Sequence, residues 1–397
     1  MAQLARSSPG VKRSVNLLRK SRDFDLALGT AVNLSKFCDD PAGCGRSGNR
    51  LMMLLRYVTA ALIGMPMPLL ATPAAAETMK LIAESYYIPA RDPGIELYVR
   101  NKRPEAMTTF TPDRILLFVH GATYPAEAAF DLQLDGLSWM DYIAQHGYDV
   151  YLMDVRGYGR STRPPEMSKA ATDNPPIVHT DVAVRDFGTV VDHILARRGV
   201  AKINLMAWSW GTVIAGTYTS RNSDKVARLV LYAPVWLRQG PSLVRVEGPL
   251  GAYRTVTAEA ARQRWLTGVA TDKQKDLIPG GWFEAWWKAN MEADPVGAGQ
   301  NPPVVRAPNG VVEDGLRYWG ADTRYYDASQ IRVPVLLVLA DWDADTPAYM
   351  AQALFARLTQ APSKRYVVIG EGTHTVIMER NRMQLFREVQ LFLDEGR

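Results

Sequence analysis

Ser209 stands in Ala207-Trp208-Ser209-Trp210-Gly211, after the apolar run Ile203 to Ala207 and before a helix-compatible segment from Thr212 to Tyr218. A strand, a sharp turn at serine and a helix make a nucleophile elbow. The turn forces the serine backbone into a strained conformation, so the positions two before and two after must be small. Ala207 and Gly211 meet that requirement, with Ala where the G-x-S-x-G pattern has its first Gly. A serine hydroxyl needs a base, and neutral imidazole oriented by a carboxylate is suited to take its proton. The chain has five histidines. His120 ends a strand, His146 sits at a helix end, His179 precedes a helix and His193 lies inside one. His374 follows a strand, in Gly370-Glu371-Gly372-Thr373-His374-Thr375, and is the candidate base. For the carboxylate, Ala340-Asp341-Trp342-Asp343-Ala344-Asp345-Thr346-Pro347 offers three aspartates. Asp343, midway between the strand end and the Pro that opens the next helix, is the expected acid. Asp345 is then free to cap that helix and Asp341 to order the loop.

Such a trio performs acyl transfer, which also needs donors for a tetrahedral oxyanion. The N–H of Trp210, just after the serine, is one. The N–H of Ala122, in His120-Gly121-Ala122-Thr123, is the other, with Thr123 or Tyr124 as the fallback. Trp208, Thr123 and Tyr124 are the expected substrate contacts, and His120 is expected to be structural.

The surrounding pattern alternates strands with helices. Strands are predicted at 81–88, 94–99, 114–121, 148–154, 201–207, 226–233, 333–340 and 365–369. Helices are predicted at 137–146, 182–198, 347–358 and 378–394. Such alternation implies a parallel sheet covered on both faces. From Pro234 to about Arg332 the alternation stops, and six of the ten tryptophans fall there (236, 265, 282, 286, 287 and 319). This reads as an inserted cap, mostly helical, over Ser209. The domain reading is a core over 77–235 and 333–397 with a cap over 236–332.

The residues His120-Gly121, Asp154-x-Arg156-Gly157-x-Gly159-x-Ser161, Ala207-Trp208-Ser209-Trp210-Gly211, Asp343-x-x-x-Pro347 and Gly372-x-His374 together resemble the serine-hydrolase branch of the α/β-hydrolase superfamily. The resemblance covers roughly residues 80–395, the cap apart. It implies an α/β-hydrolase fold, with an eight-stranded, mostly parallel sheet and helices on both faces. It also implies a Ser209-Asp343-His374 triad that works without a cofactor or metal. Trp208 beside the serine looks like the G-W-S-x-G elbows of some secreted polyester hydrolases, but those lack a large cap, which argues against a polymer substrate. The expected reaction is hydrolysis of a carboxylic ester of a hydrophobic or aromatic small molecule. The same triad also admits amide or lactone hydrolysis, transfer to a non-water acceptor and perhydrolysis. A binding protein that kept the fold without catalysis is the rival outside enzymology. No H-E-x-x-H metal motif occurs, and an aspartyl nucleophile, as in dehalogenases or epoxide hydrolases, is excluded because position 209 is Ser.

The pI near 9 comes from the N-terminal end. Residues 1–76 carry ten Lys or Arg against four Asp or Glu, leaving 36 basic and 37 acidic side chains in 77–397. The near-neutral body gives no basis for nucleic-acid binding. Arg50 and Arg56, the apolar stretch to Leu70 and Ala74-Ala75-Ala76 read as a signal peptide over 52–76, cut after Ala76. The apolar core, Tyr57 to Leu70, is too short for a stable membrane anchor. Export to the periplasm or the medium is expected, with residues 1–51 a mis-called extension. Cys38 and Cys44 both precede the cut, so the expected mature chain has neither a disulfide nor a thiol nucleophile.

Overall fold

The computed structural model describes residues 79–246 and 248–395; the signal peptide expected over 52–76 and its expected cut after Ala76 lie outside them. Ten strands are present among these residues: β1 Leu81–Pro89, β2 Glu96–Pro104, β3 Ile115–Val119, β4 Asp149–Met153, β5 Ile203–Trp208, β6 Val226–Tyr232, β7 Tyr253–Thr257, β8 Val304–Pro308, β9 Val335–Ala340 and β10 Lys364–Ile369. Eight form one sheet in the order β1-β2-β4-β3-β5-β6-β9-β10. β2 pairs antiparallel with β1 and with β4, and every other pairing in this sheet is parallel.

The parallel strands are apolar because both faces are covered. In β3, Ile115, Leu117 and Val119 face one layer, and Leu116 and Phe118 face the other. The first layer is built from helices Thr180–Arg198, Trp210–Arg221 and Ala348–Arg357, through Phe187, Val191, Ile214 and Leu354. The second comes from Trp139–Gln145 and Arg382–Asp394, where the Trp139 and Phe386 rings stack at 4.7 Å. Each large apolar side chain removed from water in this way contributes about 1.5–3 kcal/mol. Helix Trp139–Gln145 starts at a capping box made by Ser138 and Asp141 and ends before Gly147, at φ +81°.

The parallel direction decides where chemistry can occur. β3, β5, β9 and β10 all end at the same edge of the sheet, so the loops that carry Ala122, Ser209, Asp343 and His374 emerge side by side. β6 ends at that edge too, and the insertion leaves from there. The insertion contains helices Ala258–Trp265, Trp282–Ala293 and Gly310–Arg317, but it is not purely helical: β7 and β8 pair antiparallel as a separate two-stranded sheet. Tyr253 to Thr257 and Val304 to Val305 carry the β-branched and aromatic residues that favour strands. The last helix also differs from expectation. Val376–Met378 is a separate 3-10 turn, and the regular helix starts at Arg382.

Candidate active site

Ser209 adopts φ 57° and ψ −125°, the strained geometry expected of an elbow. Its N–H donates to Tyr232 O at 3.0 Å, and its carbonyl accepts from the Thr212 N–H at 2.8 Å and the Thr212 hydroxyl at 2.5 Å. The small neighbours have a measurable cause. A Cβ at Gly211 would lie 2.6 Å from the His120 carbonyl oxygen, and one at Gly121 would lie 3.0 Å from Ser209 Cβ.

His374 and Asp343 are joined at the same edge. His374 Nδ1 lies 2.9 Å from Asp343 Oδ2, so Nδ1 carries the proton and Nε2 is the nitrogen left for the cavity that His374 and Ser209 both line. Asp343 also accepts from the Thr346 N–H at 2.7 Å and the Thr346 hydroxyl at 2.7 Å. The His374 backbone is held from below, its carbonyl accepting from Trp208 Nε1–H at 3.1 Å and Tyr232 O–H at 2.7 Å. Burial pushes the His374 pKa down, but the charges of Asp343 and Asp345 and the Asp343 hydrogen bond outweigh it and raise it above 6.5.

Asp345 does not cap the following helix, as the sequence left open; that helix starts at Ala348, after Pro347, without a side-chain cap. Its carboxylate instead pairs with Arg264 of the insertion at 2.8 Å. A charged partner on a neighbouring element outcompetes a local turn, because both oxygens can be satisfied by one guanidinium. Asp341 orders the loop as expected, accepting from the Gly372 N–H at 3.3 Å.

The N–H of Trp210 opens helix Trp210–Arg221, and the first amides of a helix have no intrahelical partner. Ala122 lines the Ser209 cavity. Neither N–H has a protein acceptor among the described residues. The Ala122 carbonyl accepts from the Tyr158 hydroxyl at 3.2 Å and from Arg254 Nη2, which also donates to Thr123 Oγ1 at 3.0 Å. His120 is structural: Nε2 accepts from the Val155 N–H at 3.0 Å, Nδ1 lies 2.7 Å from the Gly121 carbonyl, and burial drives its pKa to about 4. The Asp154 to Ser161 motif is a buried turn in which Asp154 accepts from the N–H groups of Ala126 and Arg160.

The wall of the cavity shared by Ser209 and His374 is partly apolar. Trp208, Tyr124, Trp265 and Trp286 line the cavity, with Tyr124 edge-on to Trp286 at 4.6 Å. Trp210 is not part of this wall, and its indole N–H bonds Thr180 Oγ1 at 2.9 Å. Arg264 and Asp345 add a polar side to the cavity that composition did not reveal. Glu379 was also missed. It accepts from Trp265 Nε1–H at 2.8 Å and from the N–H of Thr373 at 3.0 Å, tying the insertion to the residue before His374. Nothing in its local sequence marks it: Thr373 lies only six residues away, but Trp265 is 114 positions distant in the insertion. Among the described residues, no group of three His, Cys, Asp or Glu is placed to hold a metal ion, and no helix is long and apolar enough to cross a membrane.

The model of the α/β-hydrolase fold family matches residues 114–381. The chain belongs to the α/β-hydrolase fold family. This α/β-hydrolase is 23% identical over 229 residues to epoxide hydrolase 3 of Siraitia grosvenorii, a match covering 51% of this chain and 68% of that one. Among solved structures it is similar to a serine hydrolase from the polyaromatic hydrocarbon-degrading bacterium Cycloclasticus zankles (TM-score 0.52, 16% identity, 79% of this chain and 98% of that one). It is also similar to a bromoperoxidase from Bacillus anthracis (0.52, 16%, 79% and 100%). A third is 2-hydroxy-6-oxo-6-phenylhexa-2,4-dienoate hydrolase from Rhodococcus sp. strain RHA1 (0.51, 15%, 79% and 99%). At these identities the structural likeness establishes the fold, and the hydrolase chemistry must be argued from the site.

Proposed function

We propose that this α/β-hydrolase is a serine hydrolase that cleaves carboxylic esters of hydrophobic small molecules through an acyl-enzyme. One observation carries the reading: Ser209 on a strained elbow shares a cavity with an imidazole whose other nitrogen is held by Asp343. His374 Nε2 takes the Ser209 proton as Oγ attacks the carbonyl carbon. The oxyanion rests on the N–H groups of Ala122 and Trp210. The carbon–oxygen bond to the alcohol breaks, the alcohol leaves with the proton from His374, and a water activated by His374 releases the acid. Asp343 stabilises the imidazolium. Tyr124, Trp265 and Trp286 give the cavity the aromatic surface that favours apolar substrates. The S. grosvenorii relative's name denotes epoxide opening, but Ser209 offers no carboxylate for an aspartyl-ester route.

In the test, wild type and Ser209→Ala are exposed to a fluorophosphonate probe and to a panel of apolar esters. The substitution should abolish labelling and lower ester turnover by about 10³-fold or more. Retained labelling would move the nucleophile elsewhere. Export after Ala76 belongs to the same proposal, and N-terminal sequencing of the secreted product checks it.

A further inference from the structure

Two cavities meet at Ser209, and they differ in size and in the catalytic groups on their walls. The first holds about 30 Å³ and is walled by His374, Trp208, Tyr124, Trp265 and Trp286. The second holds about 380 Å³ and is walled by Trp210, Val244, Leu250, Val312, Trp319 and Met350. Ser209, Ala122 and Asp345 belong to both. His374 lines only the narrow one, and Trp210 lines only the wide one.

This asymmetry orients an ester. Collapse of the tetrahedral intermediate breaks the bond between the carbonyl carbon and the alcohol oxygen, and that oxygen receives the proton His374 took from Ser209. The alcohol must therefore lie on the side that His374 faces. The acyl group, bonded to Ser209 Oγ once the alcohol has gone, is left the other side. On the same measure the narrow cavity offers less than a tenth of the free space of the wide one, which favours a small group such as methyl or ethyl there and the bulkier group on the other side. The wide cavity lies in the range of small-molecule sites, about 300–1,000 Å³. Its walls are mainly aliphatic and aromatic. Arg238, which reaches it, donates to the carbonyls of Pro241, Ala344 and Asp345, and Arg245 sits exposed at its edge.

We propose that the narrow cavity takes the alcohol and the wide cavity the acyl group, so that the substrates are methyl or ethyl esters of bulky apolar acids. This rests on the serine mechanism proposed above and adds a direction to it: esters of bulky alcohols with small acids are disfavoured.

Two isomers test the direction, methyl 3-phenylpropanoate and 2-phenylethyl acetate, which differ only in which side of the ester carries the ring. With the full chain, kcat/KM for the methyl ester should exceed that for the acetate by about tenfold or more, the range in which a misfitted apolar group is rejected. An equal or inverted ratio overturns the assignment. Val244→Trp, on a loop that lines only the wide side of Ser209, should shrink the ratio. Ala261→Leu, on the narrow wall, should depress ethyl relative to methyl 3-phenylpropanoate. If both variants fold and neither shifts its ratio, the assignment also falls. Fluorophosphonate labelling separates the two levels. Labelled Ser209 without turnover of either isomer overturns the substrate class alone, whereas loss of labelling removes the serine mechanism and this proposal with it.

Discussion

Asp345 acts on His374 by charge, with no hydrogen bond between them, and it does so from within an ion pair with Arg264. The balance at His374 is burial, which lowers the pKa, against Asp343 and Asp345, which raise it; the net direction is upward from 6.5. General-base catalysis needs the neutral ring, so the acid limb of kcat/KM should lie above pH 6.5 and report that raised pKa. Asp345→Asn removes one attraction and leaves the Arg264 charge uncompensated, and both changes disfavour the imidazolium. The acid limb should therefore move to lower pH in the variant; a limb that stays in place would mean that another group controls it. The three candidate catalytic residues were legible in the sequence because local chemistry constrains them. Gly211 answers to a backbone so close that any side chain would meet the His120 carbonyl, and His374 was the histidine on the loop after the last strand of the sheet. Asp345 was legible as a carboxylate but not as the partner of Arg264, because 81 positions separate them.

Arg254 shows what the pattern of an element can hide. In β7 it lies between Tyr253 and Thr255, and although arginine is a residue type usually left in water, it is 8% exposed. Its guanidinium donates to the carbonyls of Ala122 and Pro308, to Thr123 Oγ1 and to Asn309 Oδ1. Burial and the nearby Arg264 both lower its pKa, and no carboxylate pairs with it among the described residues. β7 finds β8 across nearly fifty residues, and that non-local pairing is why the two-stranded sheet escaped a reading based on local periodicity. The arrangement makes β7 a brace from the insertion to the loop that carries Ala122. Arg254→Met keeps much of the volume and removes the donors, leaving the Ala122 carbonyl to Tyr158 alone. With the loop less firmly held, kcat should fall about tenfold, below the full loss of an oxyanion donor at about 10²–10³, while KM changes by less than about threefold. Steady-state kinetics together with a melting curve separate this from misfolding. An unchanged kcat in a folded variant would reduce Arg254 to a packing residue.

Buried titrating groups on several elements set how the whole molecule should respond to pH. Burial raises Asp154 from 3.8 to about 6 and Glu379 from 4.5 to about 7. In each case the folded state retains a proton that the unfolded state has lost, so stability falls as pH rises through those intervals. His374 is raised as well; its contribution is fully present below 6.5 and is lost as pH rises through the folded value. His120 opposes them. Its pKa is lowered from 6.5 to about 4, so the unfolded state binds the extra proton and stability falls as pH drops through that window. Asp141, Asp294 and Asp345 are held below 3.8 by their basic partners, and their contributions are lost only in stronger acid. Between about pH 4.5 and 6, Asp154, Glu379 and Asp186, all raised by burial, favour the acid side, and His120 and His193, both lowered by burial, favour the other. Above 6.5 His120 and His193 no longer titrate, while Glu379, His374 and His179, the last raised by its hydrogen bond with Asp314, continue to. The net slope therefore declines toward alkaline pH. Melting curves should give a Tm about 2–4 °C higher at pH 5 than at pH 8. A Tm that rises steadily from pH 5 to 8 would mean that Asp154 and Glu379 do not keep their protons in the folded chain, and that the Glu379 contact between Trp265 and Thr373 is made by a carboxylate ionised throughout.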